Sequence, residues 1–144
     1  MVSRSTPRVF FDTNVLFSGV CSESGAPKRL LDAAALGQFH AVVSGVVLDE
    51  LVRNLRKKAP NALPRLERVF RETAFEIAVE PRQAETESWS QAGLGSDAPI
   101  VAAAVLAEVD YFCTGDRRLL GKASLIERAG LRVVTPGELL EALG

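Results

Sequence analysis

The chain has one histidine, two cysteines, one tryptophan and one tyrosine in 144 residues. The single imidazole, His40, sits in a strand-like run, so a mechanism built on a histidine general base has little to work with. Cys21 and Cys113 are far apart and belong to no Cys-x-x-Cys or Cys/His grouping, which leaves no zinc ligand set and no disulfide framework. Both thiols are read as free, in a reducing compartment. No excess of one charge is present either. The 17 basic and 18 acidic residues give a formal net charge of -1, which excludes a general polycation, so any nucleic-acid binding must come from a local patch. The longest apolar run, Pro99 to Ala107, is far short of the roughly 20 residues of a membrane helix. The polar and basic start, Met1 to Arg8, has no apolar core and is not read as a secretory signal. The expected location is the cytoplasm, with no membrane association. Repeats, linkers and low-complexity stretches are absent, which predicts one domain over 1–144 with residues 1–7 as a flexible extension. A hydrophobic share of 47% and a charged share of 24% suit a soluble globular domain of that size.

What is present is an alternation of short β-like and helical runs. Val9-Phe10-Phe11, His40 to Val43, Tyr111-Phe112-Cys113 and Leu131 to Val134 read as strands, and Phe75 to Val79 as an edge strand. Helices are predicted over Pro27–Gly37, over Val46–Lys58 with Ser44 as cap, from Pro64 to about Ala74, over Glu85–Gln91, and from Pro136 onward. Gly93 to Ser96 reads as a loop. Asp97 to Glu108 is apolar on every side and is predicted to be a buried helix. The pattern predicts an α/β domain whose central sheet is mostly parallel, with helices on both faces. In such sheets the functional crevice lies beyond the carboxyl ends of the strands.

Two acidic residues fall there. Asp12 ends the first strand, and Asp116 follows Tyr111-Phe112-Cys113 in the loop Thr114-Gly115-Asp116. Asp97 opens the buried helix, where capping is the simpler reading of one aspartate. Glu50 and Asp49 flank opposite sides of the apolar arc Val47, Leu48, Leu51, Val52 and Leu55, and helical geometry alone does not choose between them.

Together these positions resemble the PIN-domain nucleases. Val9-Phe10-Phe11-Asp12-Thr13-Asn14-Val15-Leu16 is similar to their opening strand motif. Val47-Leu48-Asp49-Glu50-Leu51 resembles their mid-chain glutamate helix, with Glu50 as the residue carried over. Asp97-Ala98-Pro99-Ile100-Val101-Ala102-Ala103-Ala104 resembles their aspartate-led alanine-rich helix. The run from Asp110-Tyr111 through Thr114-Gly115-Asp116 to Leu119-Leu120 resembles their last motif. The resemblance is closest to stand-alone prokaryotic members, many of them toxins of VapBC-type toxin-antitoxin pairs. It implies an acidic pocket of Asp12, Glu50, Asp97 and Asp116 as catalytic and metal-binding residues, Mg²⁺ or Mn²⁺, and hydrolysis of RNA phosphodiester bonds. It further implies a homodimer and a small antitoxin protein as partner. One departure stands out: many relatives carry another acidic residue two positions after this aspartate, and here that position is Arg118. Such a change weakens a second metal position or leaves it to be completed by substrate phosphate.

A donor set of carboxylates suits Mg²⁺ or Mn²⁺ and not zinc. Asn14 and Thr114 are placed to hydrogen-bond the carboxylates. Arg117 and Arg118 lie beside the site, in position to clamp a phosphate. The basic run Arg53, Arg56, Lys57, Lys58, Arg65, Arg68 and Arg71 reads either as a track for an RNA backbone or as a solvated surface, and Trp89 and Tyr111 either as base-stacking groups or as core. Two competing functions remain from sequence: a PIN-like fold serving as an interaction module without catalysis, and another Mg²⁺-dependent phosphotransfer enzyme. A dehalogenase-like phosphatase wants Asp-x-Asp where the chain has Asp12-Thr13-Asn14, and a receiver-type early acidic pair is not met.

Overall fold

Among the described residues, five short strands, β1 (Arg8–Phe11), β2 (His40–Val43), β3 (Glu76–Ile77), β4 (Tyr111–Cys113) and β5 (Arg132–Val134), form one parallel sheet in the order β3-β2-β1-β4-β5. The computed structural model describes residues 6–144. The apolar runs become strands because both faces of the sheet are covered. Val9, Phe10, Phe11, Ala41, Val42, Val43, Phe112 and Cys113 are fully buried, and the Phe10 and Phe112 rings meet at 5.6 Å between neighbouring strands.

From β1 the chain steps outward to β2 and β3, then crosses back to β4 and β5 on the other side. Parallel crossovers are right-handed. That handedness puts α1 (Thr13–Cys21), α2 (Ala26–Ala35), α3 (Gly45–Lys58) and α4 (Leu63–Glu72) on one face. It puts α5 (Gln83–Trp89), α6 (Ala98–Leu106), α7 (Arg117–Leu120) and α8 (Ala123–Glu127) on the other. The closing helix α9 (Pro136–Leu143) folds back onto α2, β4 and β5. The reversal of direction occurs between β1 and β4, so a crevice opens at their carboxyl ends.

The expected helices form with small shifts of boundary. Ser44 caps α3, its Oγ accepting from the Val47 N–H at 3.3 Å. The helix expected over Asp97–Glu108 forms over Ala98–Leu106, with Ile100 to Ala104 all inside as predicted and Leu106 exposed at its end. Four expectations change. The edge strand shrinks to Glu76–Ile77. Gly93 to Ser96, expected as a loop, falls in a π turn (Ser90–Leu94) and a 3₁₀ turn (Gly95–Asp97), with Gly93 and Gly95 at positive φ where the direction changes. The short helices α7 and α8 were not expected. Neither was α1, which follows Asp12 directly. Of the expected N-terminal extension, residues 1–5 lie outside the described residues, and the Pro7 carbonyl accepts from the His40 N–H at 2.7 Å.

Helix α1 owes its place to packing. Val15, Leu16, Gly19 and Val20 form its buried stripe. At Gly19 a Cβ would stand 2.6 Å from Leu31 Cδ1 and 3.1 Å from the Pro27 carbonyl, so a larger residue would have to displace the buried Leu31 side chain against which this helix packs.

Both sheet edges carry local features. On β3, Glu76 accepts from Arg8 Nη1 and Nη2 at 2.9 and 3.0 Å and shares a 2.9 Å hydrogen bond with His40 Nε2, joining three strands. Arg8 Nη2 also donates to the Ala107 carbonyl at 2.8 Å, beyond the end of α6. On β5, the Val133 N–H donates to Glu127 Oε2 at 2.9 Å.

Hydrogen bonds from Arg8 and His40 hold the Glu76 carboxyl down at about 2. A carboxyl lowered by folding stabilises above its unfolded value, and that contribution is lost as pH falls. The pair is partly exposed, so screening limits its worth to about 1 kcal/mol. Glu76→Gln should therefore lose about this much stability at pH 7. In urea titrations the gap to wild type should close as pH falls from about 4.5 toward 2. A gap that stays constant across that range would show that the carboxylate charge is not what matters.

Candidate active site

Asp12 does two jobs at the carboxyl end of β1. Its N–H donates to the Cys113 carbonyl at 3.0 Å, which keeps β1 and β4 together at the crevice. Its carboxylate caps α1, Oδ1 accepting from the Thr13 N–H at 2.8 Å. Oδ2 accepts from Asn14 Nδ2 at 3.0 Å and from Thr114 Oγ1 at 2.8 Å. Asn14 cannot turn freely, because its Oδ1 accepts from the Gly115 N–H at 2.8 Å. Thr114, fully buried, accepts in turn from the Asp116 N–H at 3.0 Å. The loop after β4 is thus hydrogen-bonded to the residues after β1.

Asp116 caps α7, accepting from the Arg118 N–H at 2.9 Å, and pairs with the Arg118 guanidinium at 3.1 Å. Asp97 does not cap α6. The preceding 3₁₀ turn already gives it helical backbone angles, and its side chain makes no capping hydrogen bond. Arg118 Nη2 lies 3.9 Å from Asp97 Oδ2. Glu50 turns inward from α3, whereas Asp49 is exposed and shares the outer surface of that helix with Arg53, Arg56 and Lys57.

These side chains enclose a cavity of about 590 Å³. Asp12, Glu50, Asp97 and Asp116 all line it, with Thr13, Asn14, Asn54, Lys58, Ser96 and Arg118. The charges are felt between them. Burial pushes the Asp12 carboxyl above its ordinary value against the bonds from Thr114, Thr13 and Asn14, and the Asp116 carboxylate adds to the rise. Burial likewise raises Glu50, helped by Asp12 and Asp97 and opposed by Arg53. Asp116 moves down, chiefly through its hydrogen bond from Arg118.

An all-oxygen set of this kind fits a hard divalent cation. Thr13 Oγ1, beside Asp12, is buried with no hydrogen-bond partner among the described residues, an oxygen left unsatisfied next to the cavity wall. Among the described residues no three acidic, histidine or cysteine groups already gather around one point closely enough to hold an ion. The carboxylates stand around a space that leaves room for water, and Mg²⁺ retains several of its waters.

Of the residues expected from sequence, Arg117 is exposed and does not line the cavity; Thr114 lies beneath it, reaching it only through Asp12 and Asp116. The basic run divides. Lys58 faces the cavity, Arg53, Arg56 and Lys57 lie on the outer face of α3, and Arg65 and Arg68 line a separate depression with Asp32 and Glu72. Trp89 packs beside Ala102 and Val105, and Tyr111 lies under Arg132, both away from the cavity. Both cysteines are free. No described helix is long and apolar enough to cross a membrane. Asn54 and Lys58 are cavity residues that sequence reasoning did not single out together. Their signal is the spacing Glu50, Asn54, Lys58, which repeats every four residues along one side of a helix.

A family model described as PIN domain matches residues 8–118. No curated protein matches the chain. Among solved structures, PAE2754 from Pyrobaculum aerophilum aligns with a TM-score of 0.69 at 18% identity, over 95% of this chain and 89% of that one. VapBC2 from Rickettsia felis, bound to a DNA fragment from its promoter, aligns with a TM-score of 0.66 at 15% identity, over 89% of this chain and 98% of that one. FitAcB from Neisseria gonorrhoeae aligns with a TM-score of 0.59 at 21% identity, over 89% and 97%. At these identities the likeness concerns the fold.

Proposed function

Since the chain belongs to the PIN domain family, we propose that it is a Mg²⁺- or Mn²⁺-dependent endoribonuclease. The observation that supports this reading is the meeting of four carboxylates, from four separate segments, in one cavity at the point where the strand order reverses. Asp12, Asp97 and Asp116 are the residues to hold the ion, directly or through water, and Glu50 is a further ligand or orients the attacking water. When bound, the ion lowers the pKa of water and offsets charge on phosphoryl oxygens. Asn14 and Thr114 fix the direction of the Asp12 carboxylate. Lys58 and Arg118 are the cationic side chains that meet the RNA backbone in the cavity. We read the protein as the toxin component of a toxin-antitoxin pair, cytoplasmic, homodimeric, and held in check by a small antitoxin protein.

The test is incubation with labelled structured and single-stranded RNA in Mn²⁺, in Mg²⁺ and in EDTA, with Asp12→Asn alongside. Cleavage that needs metal and vanishes in the variant supports the reading. Cleavage unchanged in the variant rejects the site. A folded protein that neither cleaves nor binds Mn²⁺ is an interaction module instead.

Lys58 has a separate expected result. A lysine that meets phosphate contributes to binding more than to chemistry, and it steepens the salt dependence. Lys58→Ala in the inactive Asp12→Asn background should weaken RNA binding and reduce the slope of log affinity against log salt by about 0.7–1. Arg56→Ala, on the outer face of α3, should leave that slope in place. Equal effects from the two substitutions would mean that RNA follows the outer face rather than the cavity.

A further inference from the structure

Arg118 lies at the mouth of the cavity on the first turn of α7. Its Nη2 is 3.1 Å from Asp116 Oδ2 and 3.9 Å from Asp97 Oδ2, so a single guanidinium spans carboxylates from two different segments. Among the described residues its side chain has no other polar partner. The guanidinium is planar and forked and keeps its proton at any ordinary pH, so it presents a permanent positive charge to both carboxylates.

The charge of the cavity wall points the same way. Asp12, Glu50, Asp97 and Asp116 face two cationic side chains, Lys58 and Arg118. Among the described residues two negative charges remain, which one divalent ion neutralises and a second would turn to plus two; without Arg118 three remain, and two ions leave an excess of only one. The position between Asp97 and Asp116 already holds a cation, whereas among the described residues no cationic side chain is hydrogen-bonded to Asp12.

We infer that the Arg118 guanidinium is a built-in cation of this cavity, standing in for a second divalent ion between Asp97 and Asp116, so that the protein takes one divalent ion, held directly by Asp12 and through water by Asp97 and Asp116. The inference rests on the metal-dependent nuclease reading and adds a stoichiometry to it.

The experiment is calorimetric titration of Mn²⁺ into the full chain, with fold checked by circular dichroism. Wild type should bind one ion. Arg118→Ala should bind two, because the vacated carboxylates become available. Arg118→Lys, which keeps a cation there, should stay at one. Two ions in wild type, or one ion in Arg118→Ala, would overturn the inference and leave the nuclease reading standing. No ion in wild type or in either variant would overturn both. Since the readout is binding, a loss of cleavage in these variants does not confuse the outcome.

Discussion

Asp12→Asn should lose metal-dependent RNA cleavage by about 10³-fold and yet melt close to wild type in EDTA. The loss follows from the proposed ligand role. A metal ion offsets several kcal/mol of charge in the transition state, and each ~1.4 kcal/mol is a factor of ten in rate. The stability result follows from burial set against hydrogen bonding. Asp12 is 5% exposed, and burial raises its carboxyl despite three hydrogen bonds to it. A carboxyl raised by folding takes up protons more readily in the native state, so its charged form subtracts from stability above the raised value, and acidification restores it. Glu50 acts in the same direction. Asparagine removes the buried charge and can still cap Thr13 through its oxygen, but its amide nitrogen gives up the acceptor used by Asn14 and Thr114, so the two effects offset and the metal-free variant should melt close to wild type. Adding Mn²⁺ should raise the melting temperature of wild type and not of the variant. A variant that melts well below wild type in EDTA would mean that the carboxylate is there to accept from Asn14 and Thr114 rather than for an ion.

The second large effect is expected at Thr114. Its hydroxyl donates to Asp12 and accepts from the Asp116 N–H with no exposure to solvent. Thr114→Val keeps the volume and removes both bonds. It leaves a buried carboxylate short of a donor and a backbone N–H without an acceptor, at a cost of about 2–3 kcal/mol. Cleavage should fall about 10–100-fold, the usual effect of removing a group that orients a metal ligand. Thr114→Ser should recover most of both, since it restores the hydroxyl. Denaturant titration of the three proteins decides the matter: a valine variant within about 0.5 kcal/mol of wild type would show the hydroxyl to be incidental.

How far the sequence carries depends on where the determining force acts. Strands β1, β2 and β4 are legible because a sheet covered on both faces demands unbroken apolar runs. Helix α6 is legible because nothing but burial accounts for Ile100 to Ala104. Helix α1 is not. Thr13, Val15 and Val20 are β-branched and Gly19 is a poor helix former, so local preference argues against it. The Asp12 cap and contact with α2 outweigh that preference, and contact with α2 is a tertiary fact. Helices α7 and α8 are too short to leave a period in the sequence. In the site, Asp12 and Asp116 are legible from their positions at strand ends. Choosing Glu50 over Asp49 requires knowing which flank of α3 faces β1, which no helical wheel contains. The capping reading of Asp97 fails for a similarly local reason, the 3₁₀ turn ahead of it. The basic run looked continuous in sequence, but α3 and the separate packing of α4 distribute it over three surfaces.

The hydrogen bond from Val133 to Glu127 has a consequence for behaviour at high concentration. An open parallel sheet has two borders, and each is a template on which a stray strand can grow. At one border β3 is only two residues long and offers almost no ladder to extend. At the other, the outward Val133 N–H is already taken by a carboxylate, and an incoming strand would have to displace that charge before it could pair. The protein is thereby protected at both margins from polymerising sheet to sheet, a safeguard supplied by one glutamate and by brevity.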